Sequence, residues 1–361
     1  MRVAMRCVAN VAALLATTAC LAGCHGHMHF AFWHRGLKTA SAEPVRSTYT
    51  PAPLDLSKVR PNEVGEVPII MFHQVIPDNM KPRALEITSS MFRSFMEELY
   101  KMDYRPISLT DFVTGHIDCP AGTSPVVLTF DDAVRGQIDY TPDGKIDPNC
   151  VVGILQQMHA EHPDWPLKGT FFVLPRRGMK DYFYQPEYSQ SKLQWLAQNG
   201  FELGNHTINH LMGMPHWPDE RVEKEFADAK ALIDQNVPGY RVDLLALPYG
   251  KFPKNKKLVI SGEADGVSYH NICALRAGAN PADSPFANGF NPYYLPRIEP
   301  AFQGQTDKLN MLQYWLKYLQ RNQMKRYISD GDPNTVTVPS ILAAQVNKKQ
   351  VVADGEHLRT Y

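Results

Sequence analysis

Residues 126–130 read Val-Val-Leu-Thr-Phe and run straight into Asp131 and Asp132. A run this rich in Val, Leu and Phe specifies a strand buried in a core. The two acids therefore fall where the strand emerges, and nothing structural asks for paired carboxylates there. Two further stretches, 67–73 and 201–204, have strand patterns, and between such runs lie amphipathic ones. Met91, Phe95 and Leu99 recur at helical spacing. Asp147-Pro148 is positioned to cap a helix carrying Val151, Ile154, Leu155 and Met158 on one side. Leu193, Trp195 and Leu196 begin a third helix, closed by Asn199-Gly200. Alternation of strand and helix argues for an α/β fold of parallel strands wrapped by helices.

The second chemical feature is His206-Thr207-Ile208-Asn209-His210, just beyond the strand-like 201–204. Histidines at i and i+4 fall on one face of a helical turn and can grip one ion. Two imidazoles and one carboxylate leave open positions on a zinc-like ion, the arrangement that makes water a nucleophile near neutral pH. The other carboxylate is then free to be a base. Alone, the Asp pair reads as a turn or cap and the His pair as a solvated face. Both pairs at strand ends favour a hydrolytic metal site.

Thr129-Phe130-Asp131-Asp132 and His206-Thr207-x-x-His210 resemble the first two motifs of the NodB-type polysaccharide deacetylases, carbohydrate esterase family 4. Residues 168–173 (Lys-Gly-Thr-Phe-Phe-Val) resemble the family's next strand, residues 199–206 its approach to the histidine motif, and Leu247-Pro248-Tyr249-Gly250 its third motif. The resemblance covers about residues 65 to 300 and implies a distorted (β/α) barrel of about seven parallel strands. It implies that Asp131 is the general base, that Asp132, His206 and His210 hold one divalent ion, zinc by preference, and that Tyr249 lends its backbone amide to the oxyanion. Amide hydrolysis needs such a set, plus an acid for the leaving amine.

Two departures stand out. The family's Leu-x-His acid motif does not follow Tyr249. Instead, the strand pattern 67–73 ends in Met-Phe-His and resembles the start of the circularly permuted subgroup that deacetylates poly-N-acetylglucosamine, which makes His73 the candidate acid. Parallel barrel strands deliver their C-terminal ends to one face, so His73 can reach the Asp pair. A His that merely caps its strand is the plain alternative. The third motif usually begins with Arg, and Ala246 stands there. Arg297, in Tyr294-Leu295-Pro296-Arg297-Ile298, is the candidate substitute, with a surface Arg as its plain alternative.

Arg2 and Arg6 precede an apolar stretch from Val8 to Ala22, short for a membrane span and right for a signal peptide core. Leu21-Ala22-Gly23-Cys24 resembles a bacterial lipobox, which makes Cys24 the lipidated first residue of the mature chain. With His25 next rather than Asp, the expected location is the cell envelope, on the periplasmic side of the outer membrane. The expected organisation is a signal peptide over 1–23, a lipidated N-terminus and linker over 24–62, a catalytic domain over 63–300, and a helical extension and tail over 301–361. Cys119, Cys150 and Cys273 remain after the signal cysteines, an odd number that allows at most one disulfide.

Acidic and basic residues balance at 37 each, which gives no footing for nucleic acid and suits a neutral polysaccharide. The sequence assigns no oligomeric state. The His-rich start of the linker reads as incidental. Asp139-x-Thr141-x-Asp143-Gly144 partly matches a calcium loop, but a Pro-Asp-Gly turn explains it. Tyr182, Phe183, Tyr184, Tyr188 and Trp217 are aromatic residues near the motifs, suited to stacking on sugar or to packing. Leu309, Leu312, Trp315, Leu316 and Leu319 suggest one helix, and residues 330–361 show little pattern. The expected activity is metal-dependent removal of N-acetyl groups from N-acetylglucosamine-containing polysaccharide. The alternatives are an O-acetyl esterase on an acetylated polymer and a carbohydrate-binding relative without turnover.

Overall fold

The apolar runs become one parallel sheet of seven strands: β1 (Ile69–Phe72), β2 (Tyr104–Ile107), β3 (Ser124–Asp131), β4 (Thr170–Val173), β5 (Glu202–Asn205), β6 (Leu244–Ala246) and β7 (Cys273–Leu275). They are seen in a computed structural model that describes residues 53–175, 182–278, 280–300 and 312–361. β3 is buried along its whole length. It pairs with β1 on one side, and on the other with β2 along its first half and β4 along its second. The order continues through β5 and β6 to β7, with a single residue pair, Asn205 and Leu245, joining β5 to β6. Residues 295–298 bridge the two edge strands. Leu295 exchanges backbone bonds with Ala274 and Arg276, while Ile298 donates to Ile69 and accepts from Met71, both at 2.8 Å. The expected distorted (β/α) barrel is thus what the chain forms.

The alternation of strand side chains sorts the core into two layers. Ile70, Phe72, Leu128, Phe130, Phe171 and Leu203 face outward into one cluster. The helices covering them are α1 (Ser89–Lys101), α2 (Val151–Glu161) and α3 (Ser189–Gln198), through Phe92, Phe95, Leu99, Leu155, Met158, Leu193 and Leu196. Register is pinned by aromatic rings, since Phe72 stacks on Phe130 at 5.6 Å and Phe130 on Phe171 at 4.7 Å. Each such burial contributes about 1.5–3 kcal/mol. A one-residue slip would turn all three toward the other face. Ile69, Val127, Phe172, Leu244, Ala246 and Leu275 belong to the second cluster.

That second cluster includes residues from a tail that showed little pattern in sequence. Val336, Val338, Leu342 and Val351 are buried in it, next to Tyr327 just before the tail, and Thr335–Val338 pairs in parallel with His357–Thr360. The tail packs at the N-terminal ends of the strands. Ser124 donates to the Tyr327 carbonyl, and the buried Glu63 accepts from the amides of Asp330 and Thr337 at 3.1 and 2.6 Å. The opposite, C-terminal ends of the strands are left for a site, as in barrel enzymes generally.

Several local expectations change. Asp147 does not cap α2: its carboxylate accepts from Asn149 at 2.8 Å, and the N-cap is Cys150, whose Sγ accepts from Gly153. The backbone of Asp147-Pro148 crosses the first turn of that helix so closely that a Cβ on Gly153 would meet the Asp147 carbonyl oxygen at 2.1 Å. Residues 139–147 form a hairpin turn, with Thr141 donating to the Lys145 carbonyl. Cys119, Cys150 and Cys273 are all buried and free. At the end of the stretch read as linker, Leu56–Val59 is a helical turn and Asn62 is buried. Leu312–Arg321 is helical, whereas Leu309, the signal with Cys24 and the His-rich stretch lie outside the described residues. Among the described residues no helix is long and apolar enough to cross a membrane.

Candidate metal centre and active site

β3 ends at Asp131, and the chain then turns through left-handed backbone at Asp132 (φ 75°) and Ala133 (φ 49°). Alternation alone would send adjacent carboxylates to opposite faces. With the turn, both meet the same imidazole. His206 Nε2 lies 3.4 Å from Asp132 Oδ1 and 3.7 Å from Asp131 Oδ2.

The histidine pair converges by a route that sequence periodicity misstated. Residues 206–210 are a loop, not a helical turn, with Thr207 at φ 64° and His210 at φ 52°. Local hydrogen bonds hold that shape: Thr207 N–H donates to Asn205 Oδ1 at 2.8 Å and His210 N–H to Thr207 Oγ1 at 3.1 Å. Glu225, on the helix Asp219–Asn236, accepts from the amide and side chain of Asn209. His210 Nε2 then stands 3.5 Å from Asp132 Oδ1. Left-handed non-glycine residues cost about 1–3 kcal/mol each and persist where surroundings over-determine them. Asp132, His210 and Tyr249 (φ 56°) are three of them.

The donor set fits a divalent cation. One ligand atom each from Asp132, His206 and His210 lies within 4.8 Å of the others. His206 Nδ1 is 2.8 Å from the Ala246 carbonyl, which can only accept. The proton therefore sits on Nδ1, and the Nε2 lone pair faces the site. That Nε2 and Asp132 Oδ1 are buried polar atoms without a hydrogen-bond partner. Such atoms are rare unless something absent from the protein itself satisfies them.

Arg297 lies in the segment that bridges β7 and β1 and is buried to 1% exposure. Its fork meets Asp131 in both arms, Nη1 to Oδ1 at 2.6 Å and Nη2 to Oδ2 at 2.7 Å, while Nε donates to the Arg276 carbonyl. Burial pushes the Asp131 carboxyl upward, but Arg297 and then His206 outweigh it and hold it below the usual carboxylate range. Burial likewise raises Asp132, and the neighbouring His206 more than reverses it. His206 is pulled down by burial and, more strongly, up by the two carboxylates.

His73 directly follows β1, and the pairing of Phe72 with Phe130 sets it level with Asp131. It is near enough to act electrostatically on Asp131, Asp132 and His210. Tyr249 sits in the turn after β6, half exposed, with its ring 4.7 Å from that of His210. Two supporting residues escaped the sequence. Gln137 is fully buried and donates to the carbonyls of both His73 and Asp131, at 2.9 and 2.6 Å, tying the two strand ends together. A lone Gln in a loop carries no signal for that role. Glu225 did carry one, as an acid on a helix face otherwise made of Val222, Phe226 and Ala229.

Residues 119–262 match the family model for polysaccharide deacetylase. The Bacillus subtilis (strain 168) protein YxkH, named for the same family, is 21% identical over 251 residues, 69% of this chain and 77% of that protein. A peptidoglycan-N-acetylglucosamine deacetylase of Bacillus cereus is 27% identical over 126 residues, 35% of this chain and 46% of that protein. Among solved structures, the Streptococcus pyogenes deacetylase PplD in complex with acetate is 19% identical, with a TM-score of 0.49, over 65% of this chain and 92% of that one. Asp131, Asp132, His206 and His210 all fall within the span that matches the polysaccharide deacetylase family model.

Proposed function

We propose that this protein removes N-acetyl groups from N-acetylglucosamine units of a polysaccharide, using one divalent ion, zinc by preference, held by Asp132, His206 and His210. The observation that carries the reading is a carboxylate, Asp131, fixed by a buried Arg fork beside three converging donor atoms, two of which have no protein partner. The name of the Bacillus cereus relative supports the N-acetyl choice. When bound, the ion lowers the pKa of water toward neutrality and polarises the acyl oxygen.

The chain's own groups supply the rest. Asp131, its charge favoured by the Arg297 fork, accepts the proton of the attacking water. Arg297 holds that carboxylate in one orientation, the part that an Arg at position 246 would otherwise play. Ala246 is therefore no argument for lost turnover, since a cation reaches Asp131 from the segment that bridges β7 and β1. The Tyr249 amide donates to the developing oxyanion, and His73 protonates the leaving amine. Acetate release from N-acetylglucosamine oligomers, peptidoglycan and acetylated xylan, followed by mass spectrometry, tests the reading. Release from acetylated xylan alone would replace it with an O-acetyl esterase.

Two further outcomes are expected. His206→Ala and His210→Ala should each lose the metal on dialysis, since two remaining ligands do not fix the geometry. Stoichiometric metal by atomic emission in either variant would remove the ligand assignment. His73→Ala should keep fold and metal yet lose amide hydrolysis by about 10²-fold or more, with a smaller loss on an activated ester, because an amine leaving group needs protonation and a good alkoxide does not. Equal losses on amide and ester would exclude His73 as the acid.

A further inference from the structure

Lys192 has no exposed surface, although its ammonium is the kind of group a protein interior usually rejects. It sits on α3, which its neighbours Leu193 and Leu196 anchor in the outer core cluster. Burial pulls the ammonium down to about 8, against the opposing pull of Asp139. Yet the Asp139 carboxylate is 3.8 Å from Nζ, beyond hydrogen-bonding distance. Among the described residues the one hydrogen bond of Lys192 goes to the Phe183 carbonyl, at 2.9 Å.

Phe183 is held at three points. Its buried ring meets Phe171 of β4 edge-on, with centroids 6.0 Å apart. Its carbonyl takes the Lys192 ammonium, and its amide donates to the Ala133 carbonyl at 2.7 Å. Ala133 (φ 49°) directly follows Asp132 (φ 75°), and Phe183 is itself left-handed at φ 59°. None of the three is glycine, so their surroundings must impose the conformation. The other bonds on this turn lie to either side of Ala133. Gln137 donates to the Asp131 carbonyl, and Asp139 accepts from the Gly136 amide.

We infer that Lys192 is a positioning residue for the metal centre: by fixing Phe183 it fixes the left-handed turn that brings Asp132 to His206 and His210. The inference rests on the metal reading above. Residues behind the ligands typically govern metal affinity by about 10- to 100-fold, because a ligand free to swing must be ordered again on binding. An apolar side chain in place of Lys192 leaves the Phe183 carbonyl without its donor, and the Ala133 carbonyl then loses a fixed partner. Linkage adds a consequence for the unaltered protein: if the clamp favours the metal, the metal favours the clamp by the same factor.

The test uses the full-length protein and Zn²⁺, with affinity measured by competition against a chromogenic chelator. Lys192→Met keeps the length of the side chain and removes its donor. It is expected to bind zinc about 10- to 100-fold more weakly than the wild type while the metal-free variant still unfolds cooperatively in urea. Ala133→Gly in that background should recover at least about threefold of the affinity, because glycine adopts positive φ without penalty. A merely structural lysine would show no such rescue. In the wild type, zinc should slow hydrogen exchange of the Phe183 amide, a measurement that decides the question alone if Lys192→Met does not fold. Wild-type affinity in Lys192→Met, no recovery in the double variant, or Phe183 exchange indifferent to zinc would overturn the positioning role. A wild-type protein that takes up no zinc would instead remove the metal reading, and the positioning role with it.

Discussion

Asp131→Asn is expected to lower kcat by about 10²- to 10⁴-fold, the usual worth of a positioned general base, while one metal ion per chain is retained. The base disappears but no ligand does, because the converging donor atoms come from Asp132, His206 and His210. Asn keeps the size of Asp, yet it turns one acceptor into a donor that faces the Arg297 fork, so some stability goes as well. KM should move little, since an interaction needed only during reaction is lost. Asp132→Asn should instead lose metal and activity together. If metal analysis found equal loss in both variants, the division of labour between the two acids would be wrong.

The second large effect concerns Arg297. Removing one member of a buried, hydrogen-bonded ion pair leaves an uncompensated charge and typically costs about 3–5 kcal/mol. Arg297→Met leaves Asp131, itself 2% exposed, without its fork and also abandons the Arg276 carbonyl. The variant should unfold at clearly lower urea and lose most of its turnover, because Asp131 is then neither held nor kept ionised. Arg297→Lys should restore stability only in part and turnover hardly at all. An ammonium cannot meet both carboxylate oxygens while also reaching the carbonyl. Wild-type urea midpoints and turnover in Arg297→Met would show that the pair matters to neither folding nor the reaction.

Much of this architecture is legible in the sequence. Strands come from apolar runs and helices from 3.6-residue spacing, and both are local signals. The run 126–130 announced β3, and paired acids at its end announced a site. Closure was less visible: the short segment 295–298 bridges β7 and β1 through backbone bonds that leave no trace in side-chain pattern. The tail was missed for a related reason. Val336, Val338 and Leu342 are too sparse to form a periodic stretch, and they become a core only against Val127, Phe172 and Leu244.

What the sequence determined by itself was chemistry: two carboxylates and two imidazoles at strand ends, a histidine closing the first strand, and an arginine ending a late apolar stretch. How they meet was decided by the tertiary structure. The i, i+4 spacing of His206 and His210 suggested a helical turn, yet they converge through a loop held by Asn205, Thr207 and Glu225. Arg297 reaches Asp131 across 166 residues of chain because the bridging segment carries it to the inside of the sheet. Spacing along a chain constrains neighbours within a turn or two, whereas side chains far apart in sequence come within hydrogen-bonding distance only when strand register and packing have fixed where each strand ends.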